Sequence, residues 1–324
     1  MSISHPAISC VVIGINCENT LTACLESMKT LHSPAPEEII YVDGGSKDKS
    51  VSIAKAISGI KVIEGNFKNP TPGKGRNAGW HAATGEWIQF FDGDTIAEKR
   101  WFLNAVKYIR EGVAAIFGKR QEKNRNKNWF HFIADLEWLQ PISDAKFFGG
   151  DVLIRRTVLE ETGGYDDSLI GGEDPELSFR IRKKGWKIIG ADTVMCYHDI
   201  NMISLKQYLT RAVRSGYAYA EAGLKMLKYG EKEWFFKTAK ISLKAILVIA
   251  LIILGIFSGF QLALILAVAT AFFPLLKTLK FKERFKITFK EALIYAVNCS
   301  IVMWPQFLGV LKYFLTSRYA KIRQ

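Results

Sequence analysis

Two carboxylates lie one residue apart in the tripeptide Asp92-Gly93-Asp94, which directly follows the apolar run 87–91. Paired carboxylates at the end of a buried strand can share a hard divalent cation, and Mg²⁺ and Mn²⁺ prefer such oxygen ligands. The glycine between them lets the backbone approach a bulky ligand. Because Asp and Gly are also common turn residues, the residue types alone leave two interpretations open, a metal site and a turn.

A second acidic pair, Glu173-Asp174, follows two glycines and precedes Pro175. Proline is favoured in the first turn of a helix, so this segment predicts a helix start with Asp174 as its N-cap. The same carboxylate could instead be a positioned general base. Residue types do not decide between the two roles.

His198 follows a strand predicted at 187–190 and directly precedes Asp199. A lone histidine is more often structural than a ligand. Imidazole nitrogen is nevertheless a common metal ligand, and Asp199 could hold the ring in place. Both interpretations of His198 stay open.

Two loops offer partners for an anionic nucleotide. In Asp43-Gly44-Gly45-Ser46 the carboxylate could accept a hydrogen bond from a base or a ribose, or it could simply form a turn. The segment Lys74-Gly75-Arg76-Asn77 supplies two cations beside a glycine, which suits a diphosphate. A solvated basic loop is the alternative for that segment.

Alternating strands and helices must position these residues. An apolar, β-branched run predicts a strand at 8–13, and further strands are predicted at 38–42, 61–64 and 87–91, with helices at 21–31 and 47–58 between them. This order predicts an α/β fold with a mostly parallel, Rossmann-like sheet covered on both faces. The polar loops follow the carboxyl ends of the strands, where open α/β sheets bind ligands.

Composition excludes several classes of protein. A chain of 324 residues that is 49% hydrophobic can bury enough surface to fold, which excludes disorder. The five cysteines contain no C-x-x-C pair, so neither a zinc site nor a disulfide framework is indicated. The net charge is +13, and residues 200–324 hold 19 Lys and Arg against 5 acidic residues. Because this excess lies among long apolar runs, it predicts an anionic membrane surface and no nucleic-acid partner.

The pattern predicts three regions: a catalytic domain at 1–199, amphipathic basic interfacial helices at 200–240 and a membrane region at 241–324. Residues 241–276 carry one charge, Lys244, and are long enough for a tight hairpin that turns near Ser258. Such a hairpin puts the catalytic domain and the basic segment 277–290 on the cytoplasmic side, as the positive-inside rule prefers. The third apolar segment, 292–315, is expected to be re-entrant or interfacial. Buried helices of a soluble domain are the alternative.

Taken in order along the chain, these segments resemble family 2 glycosyltransferases of the GT-A fold, over nearly all of residues 8–220. The opening Val11-Val12-Ile13-Gly14-Ile15-Asn16 is similar to the nucleotide site of one subgroup of that family. The other similar segments are 42–50, 75–79, 89–94 and 163–181. Each motif is short, but five of them occur in the family's order and with similar separations.

The resemblance implies a role for each candidate residue. Asp174 would be the general base, with Glu173 beside it. Asp92, Asp94 and His198 would bind a divalent cation, Mg²⁺ or Mn²⁺. The residues that would bind the nucleotide-sugar are Asn16, Glu18, Asp43, Gly44, Lys74, Arg76, Asn77 and Asp92. The residues that would lie on the acceptor side are Trp138, Gly150 and Asp151.

The resemblance also implies an activity, an inverting and membrane-anchored glycosyltransferase that uses a nucleotide-diphosphate sugar. A UDP-sugar is favoured and a GDP-sugar is the alternative. The acceptor would be lipid-linked or a surface polysaccharide, at the cytoplasmic face of the inner membrane. The sequence lacks the Q-x-x-R-W signature of processive synthases, which favours a non-processive enzyme. Two alternatives stay open: a polyprenyl-phosphate glycosyltransferase and a non-catalytic scaffold of a glycan-assembly complex.

Overall fold

The computed structural model describes residues 6–139 and 142–316. Within them the chain divides into two compact units. Among these residues one unit comprises 6–127, 137–139 and 142–201, and the other comprises 128–136 and 202–316. The chain therefore contributes to the second unit twice, first through one short segment and then through its C-terminal part.

The first unit is built around one mixed sheet, which has nine strands within the described residues. The strands are β1 (Ile8–Gly14), β2 (Glu38–Asp43), β3 (Ile60–Glu64), β4 (Trp87–Asp92), β5 (Thr95–Ala97), β6 (Val113–Glu122), β7 (Ser143–Asp144), β8 (Val152–Arg155) and β9 (Lys187–His198). Their spatial order is β3-β2-β1-β4-β8-β6-β9-β5, and β7 also pairs with β9. The helices up to β9 are α1 (Leu21–Lys29), α2 (Ser50–Ala56), α3 (Pro72–Ala82), α4 (Trp101–Ala105), α5 (Trp129–Glu137), α6 (Arg156–Thr162) and α7 (Glu173–Lys183). Most of α5 belongs to the second unit.

The predicted α/β fold is confirmed, and its parallel part consists of β1 to β4. Beyond β4 the sheet is mixed, since β8 runs antiparallel to β4 and β6 while β9 runs parallel to β6. The strand predicted at 187–190 extends to His198, because β9 pairs with β6 and β5 over its later residues. This extension places His198 opposite Thr95 in the sheet.

The register of the parallel strands brings two polar strand ends together. Gly14 at the end of β1 lies opposite Asp43, and Ile13 lies opposite Asp92. The backbone N–H of Gly44 donates to the oxygen of Gly14 at 2.8 Å, which continues the pairing past the strand. Asp43 and Asp92 therefore flank the end of β1, where ligands bind to open α/β sheets.

A closed apolar core lies behind this edge. The inward face of α1 buries Leu21, Cys24, Leu25 and Met28, which follow helical spacing. β1 and β4 are almost entirely buried between the layers. Close packing of this kind resists rearrangement, so it holds the strand ends in fixed positions.

Helix α7 begins earlier than the sequence predicts. Gly172, with a φ of +85°, is the N-cap, and Glu173 and Asp174 lie inside the first turn. Glycine adopts this left-handed conformation without the strain that a Cβ would cause. The predicted capping role of Asp174 is therefore wrong.

The second unit is helical. After α5 its helices are α8 (Leu205–Leu227), α9 (Glu233–Ser258), α10 (Gln261–Phe272), α11 (Thr278–Phe285), α12 (Phe289–Ile301) and α13 (Met303–Leu315). A 3-10 turn over Phe273–Lys277 joins α10 to α11. Helix α8 is amphipathic, with residues such as Ala212 and Tyr217 buried and Lys206 and Arg211 exposed.

Three stretches in the described part of this unit are long and apolar enough to cross a membrane: Glu233–Ser258, Gln261–Phe285 and Phe289–Leu315. The predicted turn near Ser258 is confirmed, because α9 ends there and Gly259 follows with a φ of +66°. In each of the first two stretches 17% of the apolar 18-residue segment is buried within the protein, whereas in the third stretch 44% is buried. The third stretch is therefore the one that packs most against protein.

Helix α13, within that third stretch, packs closely on α8. A Cβ on Gly216 would collide with the backbone of Gln306, and a Cβ on Gly309 would collide with the backbone of Val213. Small residues allow two helix backbones to approach in this way. The hydroxyl of Tyr208 on α8 also hydrogen-bonds the side-chain oxygen of Asn298 on α12.

Candidate active site

The carboxylate of Asp43, at the end of β2, is used by its own turn. Oδ2 accepts from the backbone N–H groups of Gly45 (2.8 Å) and Ser46 (2.7 Å). Oδ1 accepts from the hydroxyls of Tyr41 (3.1 Å) and Ser46 (2.5 Å). Four donors match the lone-pair positions that an ionised carboxylate offers. Asp43 therefore fixes the shape of the loop on which Gly44 lies.

Asn16 and Glu18 fasten the loop after β1 to the same turn. Asn16 Oδ1 accepts from the backbone N–H of Lys47 at 2.8 Å, and the Asn16 N–H donates to Ser46 Oγ at 2.8 Å. Glu18 Oε2 accepts from the backbone N–H of Lys49 at 3.0 Å. We call this assembly the Asp43 turn: Asn16, Glu18, Asp43, Gly44, Gly45 and Ser46.

Arg76 on α3 joins carboxylates from two other elements. Nη2 lies 3.0 Å from Asp92 Oδ1, and Nη1 lies 2.7 Å from Glu173 Oε1 and 3.6 Å from Asp174 Oδ1. Arg76 is only 2% exposed. These four residues, Arg76, Asp92, Glu173 and Asp174, form what we call the Arg76 cluster.

Gly150 lies against Arg76 and Asp92 of this cluster. A Cβ at Gly150 would lie 2.5 Å from Arg76 Nη2 and 2.8 Å from Asp92 Oδ2. A side chain there would therefore separate Arg76 from Asp92. The sequence placed Gly150 on the acceptor side, and the structure shows that its lack of a side chain makes room for this ion pair.

Burial and charge shift the proton affinities in the cluster. Burial raises the pKa of Asp174 to about 8, and the Arg76 guanidinium opposes this rise only in part. Burial also raises the pKa of Asp92, against the lowering effect of Arg76. Burial lowers the pKa of Arg76, but the surrounding carboxylates outweigh it and keep the group charged.

Three buried polar atoms in this region have no hydrogen-bond partner among the described residues: Arg76 Nε, Asp174 Oδ1 and Tyr165 Oη. The Arg76 guanidinium lies 5.3 Å from the centroid of the Tyr165 ring. Buried polar groups are nearly always paired, and the exceptions call for a functional explanation. Asp174 Oδ1 thus makes no hydrogen bond to the described residues, although it lies 3.6 Å from Arg76 Nη1.

A donor set for a cation lies beside the Arg76 cluster. One carboxylate oxygen each from Asp92 and Asp151 and one ring nitrogen of His198 lie within 4.8 Å of one another. Asp94 Oδ1 lies 3.4 Å from His198 Nδ1. Carboxylate oxygen suits both Mg²⁺ and Mn²⁺, and an imidazole nitrogen is compatible with a transition metal. The residues present therefore fit the divalent cation that the sequence predicts.

Asp151, one member of this donor set, is buried. Its Oδ2 lies 2.5 Å from Arg120 Nη2 and 3.1 Å from His198 Nε2. Burial alone would raise the pKa of Asp151, but Arg120 and then His198 outweigh it and hold that pKa well below its usual range. Burial lowers the pKa of His198, but the Asp151 charge outweighs it and raises that pKa to about 9. Asp199, the partner that the sequence suggested for His198, instead accepts from Asn124 Nδ2 at 2.8 Å.

Lys74 and Asn77, the other polar residues of the α3 segment, turn to the backbone and to a neighbouring loop. Lys74 Nζ donates to the carbonyl oxygens of Lys68 (2.8 Å) and Asn69 (3.0 Å). Asn77 Nδ2 donates to the Tyr165 carbonyl at 2.8 Å and to Asp167 Oδ1 at 2.7 Å. The two cations predicted to bind a diphosphate therefore differ in their partners. Arg76 contacts carboxylates, whereas Lys74 donates to backbone carbonyl oxygens.

Trp138 lines a cavity of about 110 Å³ together with Arg120 and the apolar Leu139 and Ile142. The Arg120 guanidinium lies 5.5 Å from the Trp138 ring centroid, and the centroids of the Trp138 and His198 rings are 5.4 Å apart. The sequence analysis did not identify Arg120 as a site residue. The available signal was a cation at the end of the apolar run in β6, where an unpaired charge is costly.

Comparison with known proteins adds to this geometry. Residues 9–163 match the model of one family, described as Glycosyl transferase family 2. The putative glycosyltransferase EpsH of Bacillus subtilis (strain 168) is 40% identical over 247 residues, which cover 70% of this chain and 71% of EpsH. The probable glycosyltransferase YdaM of the same strain is 29% identical over 205 residues. That match covers 56% of this chain and 48% of YdaM, so the chain spans about half the length of this relative.

Solved structures share the fold. The mannosyltransferase PcManGT from Pyrobaculum calidifontis, in complex with GDP-Man and Mn²⁺, superposes with a TM-score of 0.61 at 16% identity, covering 96% of this chain and 88% of that one. Residues 1–349 of TarS, a poly(ribitol-phosphate) beta-N-acetylglucosaminyltransferase of Staphylococcus aureus, give 0.52 at 17% identity, covering 97% and 93%. At such identities the likeness shows the fold alone.

Proposed function

Since the chain belongs to glycosyl transferase family 2, we propose that it transfers a sugar from a nucleotide-diphosphate sugar to an acceptor hydroxyl, with inversion at the anomeric carbon. The observation that carries this proposal is the Arg76 cluster. It holds a partly buried carboxylate, Asp174, whose buried Oδ1 has no hydrogen-bond partner among the described residues, next to the donor set of Asp92 and His198.

Asp174 is the general base of the proposed reaction. A carboxylate that takes the proton of the acceptor hydroxyl in the transition state makes that hydroxyl a competent nucleophile. The acceptor oxygen bonds to the anomeric carbon as the bond to the diphosphate breaks on the opposite side. One base is enough for this displacement, and Asp174, with a pKa raised to about 8, has a higher proton affinity than an exposed Asp.

Asp92, Asp94 and His198 would hold Mg²⁺ or Mn²⁺, and the bound ion would neutralise the charge that develops on the leaving diphosphate. The chain's own contribution is to hold these side chains in place. Arg76 keeps Asp92 next to Glu173 and Asp174, so that the leaving group and the base are brought to one location.

The donor nucleotide is assigned to the Asp43 turn, with Lys74, Arg76 and Asn77 of α3 on its diphosphate side. Helix α3 begins with Pro72 and Gly73, and the N-terminus of a helix favours an anionic group. A UDP-sugar is the donor that we propose. The GDP-Man complex of PcManGT makes a GDP-sugar the alternative.

The acceptor is proposed to be a lipid-linked glycan or a surface polysaccharide, approaching past Trp138. The name of TarS, which acts on poly(ribitol-phosphate), supports a polymeric acceptor. The candidate spans Glu233–Ser258 and Gln261–Phe285 support a membrane location. The basic residues of α11 favour the cytoplasmic side of the inner membrane for that end of the hairpin.

The proposed function is tested with the full chain purified in detergent. The protein is offered UDP-sugars and GDP-sugars with Mg²⁺, Mn²⁺ or EDTA, and the release of nucleoside diphosphate is measured. We expect release from one donor class, its loss in EDTA and its loss in Asp94→Ala. Equal release in EDTA would contradict the metal-dependent reaction. Calorimetry that detects no binding of any sugar nucleotide would instead favour the scaffold alternative.

A further inference from the structure

His198 makes contacts through both ring nitrogens. Nε2 lies 3.1 Å from Asp151 Oδ2 and 2.5 Å from Thr95 Oγ1, whereas Nδ1 faces Asp94 Oδ1 at 3.4 Å. The Thr95 hydroxyl donates its own hydrogen to Asp151 Oδ1 at 3.1 Å, so toward Nε2 its oxygen is an acceptor. An ionised carboxylate is also only an acceptor. Both neighbours of Nε2 therefore require the proton there, which leaves the lone pair of a neutral ring on Nδ1.

Asp151 is held by donors from several directions. Besides His198 and Thr95, it receives the backbone N–H of Asp92 at 3.1 Å and Arg120 Nη2 at 2.5 Å. Its side chain has 0% exposure, whereas the side chain of Asp94 is 42% exposed. A cation arriving from solvent therefore reaches Asp94 and the Nδ1 side of His198, while the oxygens of Asp151 are already engaged.

We propose that Asp151 is a positioning residue of the metal site. It holds the Nε2–H of His198, so that Nδ1 and Asp94 bind the divalent cation from the open side. A carboxylate behind a metal-binding histidine fixes its tautomer and ring orientation, and losing such a partner typically weakens metal affinity about 10–100-fold. The inference rests on the proposed function, which supplies the reason for a divalent cation, and it moves Asp151 from the acceptor side to the support of the metal.

The test measures Mn²⁺ affinity directly, by titration of the full chain in detergent with the EPR signal of free Mn²⁺ as the readout. No sugar nucleotide or turnover is needed. We expect Asp151→Asn to weaken binding about 10–100-fold, because an amide cannot accept at both of its ends. The matched control is Asp192→Asn on β9, the strand that carries His198. The exposed carboxylate of Asp192 pairs with Lys119, so this change should leave the affinity within about twofold.

A double-mutant cycle separates positioning from direct ligation. If Asp151 acts through the ring, then Asp151→Asn should change the affinity less than about twofold once His198→Ala is already present. An equal loss in both backgrounds would make Asp151 a ligand and overturn the positioning role. An unchanged affinity in folded Asp151→Asn would overturn it as well.

Two further variants keep the outcomes distinct. Asp94→Ala and His198→Ala probe the metal site itself, and wild-type Mn²⁺ affinity in both would mean that the metal site of the proposed function has failed. If Asp151→Asn does not fold, Asp151→Glu keeps the charge but moves the carboxylate from its place beside Nε2. Weaker Mn²⁺ binding that depends on His198 supports the proposal, and unchanged binding overturns it.

Discussion

The Asp43 turn follows β2, and the Arg76 cluster joins the last residue of β4 to two helices, but the carboxylates of the two regions have different partners. Asp43 receives four hydrogen bonds from residues no more than three positions away in the sequence. In the Arg76 cluster a single guanidinium serves three carboxylates, and Glu173 lies 97 positions from it. One oxygen of Asp174 has no hydrogen-bond partner among the described residues.

This difference separates a structural carboxylate from a reactive one. A carboxylate whose lone pairs are all used by its own loop holds the shape of a binding surface, and taking a proton would break the turn. A partly buried carboxylate with a raised pKa binds a proton more strongly than an exposed one and acts as a base in its ionised form, and its burial lowers the stability of the fold. The three predictions that follow aim to break or sharpen this contrast.

The largest expected effect concerns pH. Burial raises the pKa of Asp174 from 3.8 to about 8, so between these values the unfolded chain releases a proton that the folded chain keeps. The free energy of unfolding should therefore fall as pH rises from about 4 to about 8, by up to about 1.4 kcal/mol per pH unit for this one group, and level off above. Chemical denaturation in detergent should show a shallower fall for Asp174→Asn. Identical slopes for the two proteins would refute the raised pKa.

The next effect is the loss of the shared cation. Arg76→Met leaves buried carboxylates without their counter-charge, which should destabilise the protein by about 3–5 kcal/mol. The matched control is Arg156→Met, because Arg156 donates to the carbonyl oxygens of Gly85, Trp80 and Ala83 and not to carboxylates. Denaturation midpoints should shift clearly less for the control. Equal shifts would mean that Arg76 acts by packing alone.

The smallest effect is expected at the Asp43 turn. Asp43→Ala removes hydrogen bonds to a charged acceptor and should cost about 1.5–3 kcal/mol. Because these bonds are local, the stability losses of Asp43→Ala and Asp174→Asn should add in the double variant to within about 0.5 kcal/mol. A larger departure from the sum would show that Asp43 is linked to Asp174 and that the two regions are not distinct.

The parallel half of the sheet could be predicted because its signals are local. Strands β1, β2 and β4 are largely apolar runs, and the turn residues after them are visible in the sequence. The mixed half of the sheet could not be predicted in this way. Strand β8 is defined by its pairing with β4, and β9 by its pairing with β5 and β6, and these partners are distant along the chain. The extension of β9 to His198 is of this kind.

The candidate site likewise has residues that the sequence identified and residues that only the structure revealed. The sequence singled out Asp94, His198 and Asp174, and the fold brings Asp94 and His198 within 3.4 Å. It did not reveal that Arg76 is buried between carboxylates or that Asp151 lies behind His198, because both facts depend on side chains from separate elements. The N-cap assigned to Asp174 failed because Gly172 takes that position.

The central claim is that Asp174 is the base, and one comparison tests it most directly. Asp174→Asn keeps the shape of the side chain and removes the proton acceptor. With saturating donor and acceptor, kcat should fall about 10²–10⁴-fold, while the donor Kd from calorimetry should stay at its wild-type value. A kcat near that of the wild type would contradict the account, and a loss in Glu173→Gln instead would assign the base to the neighbouring carboxylate.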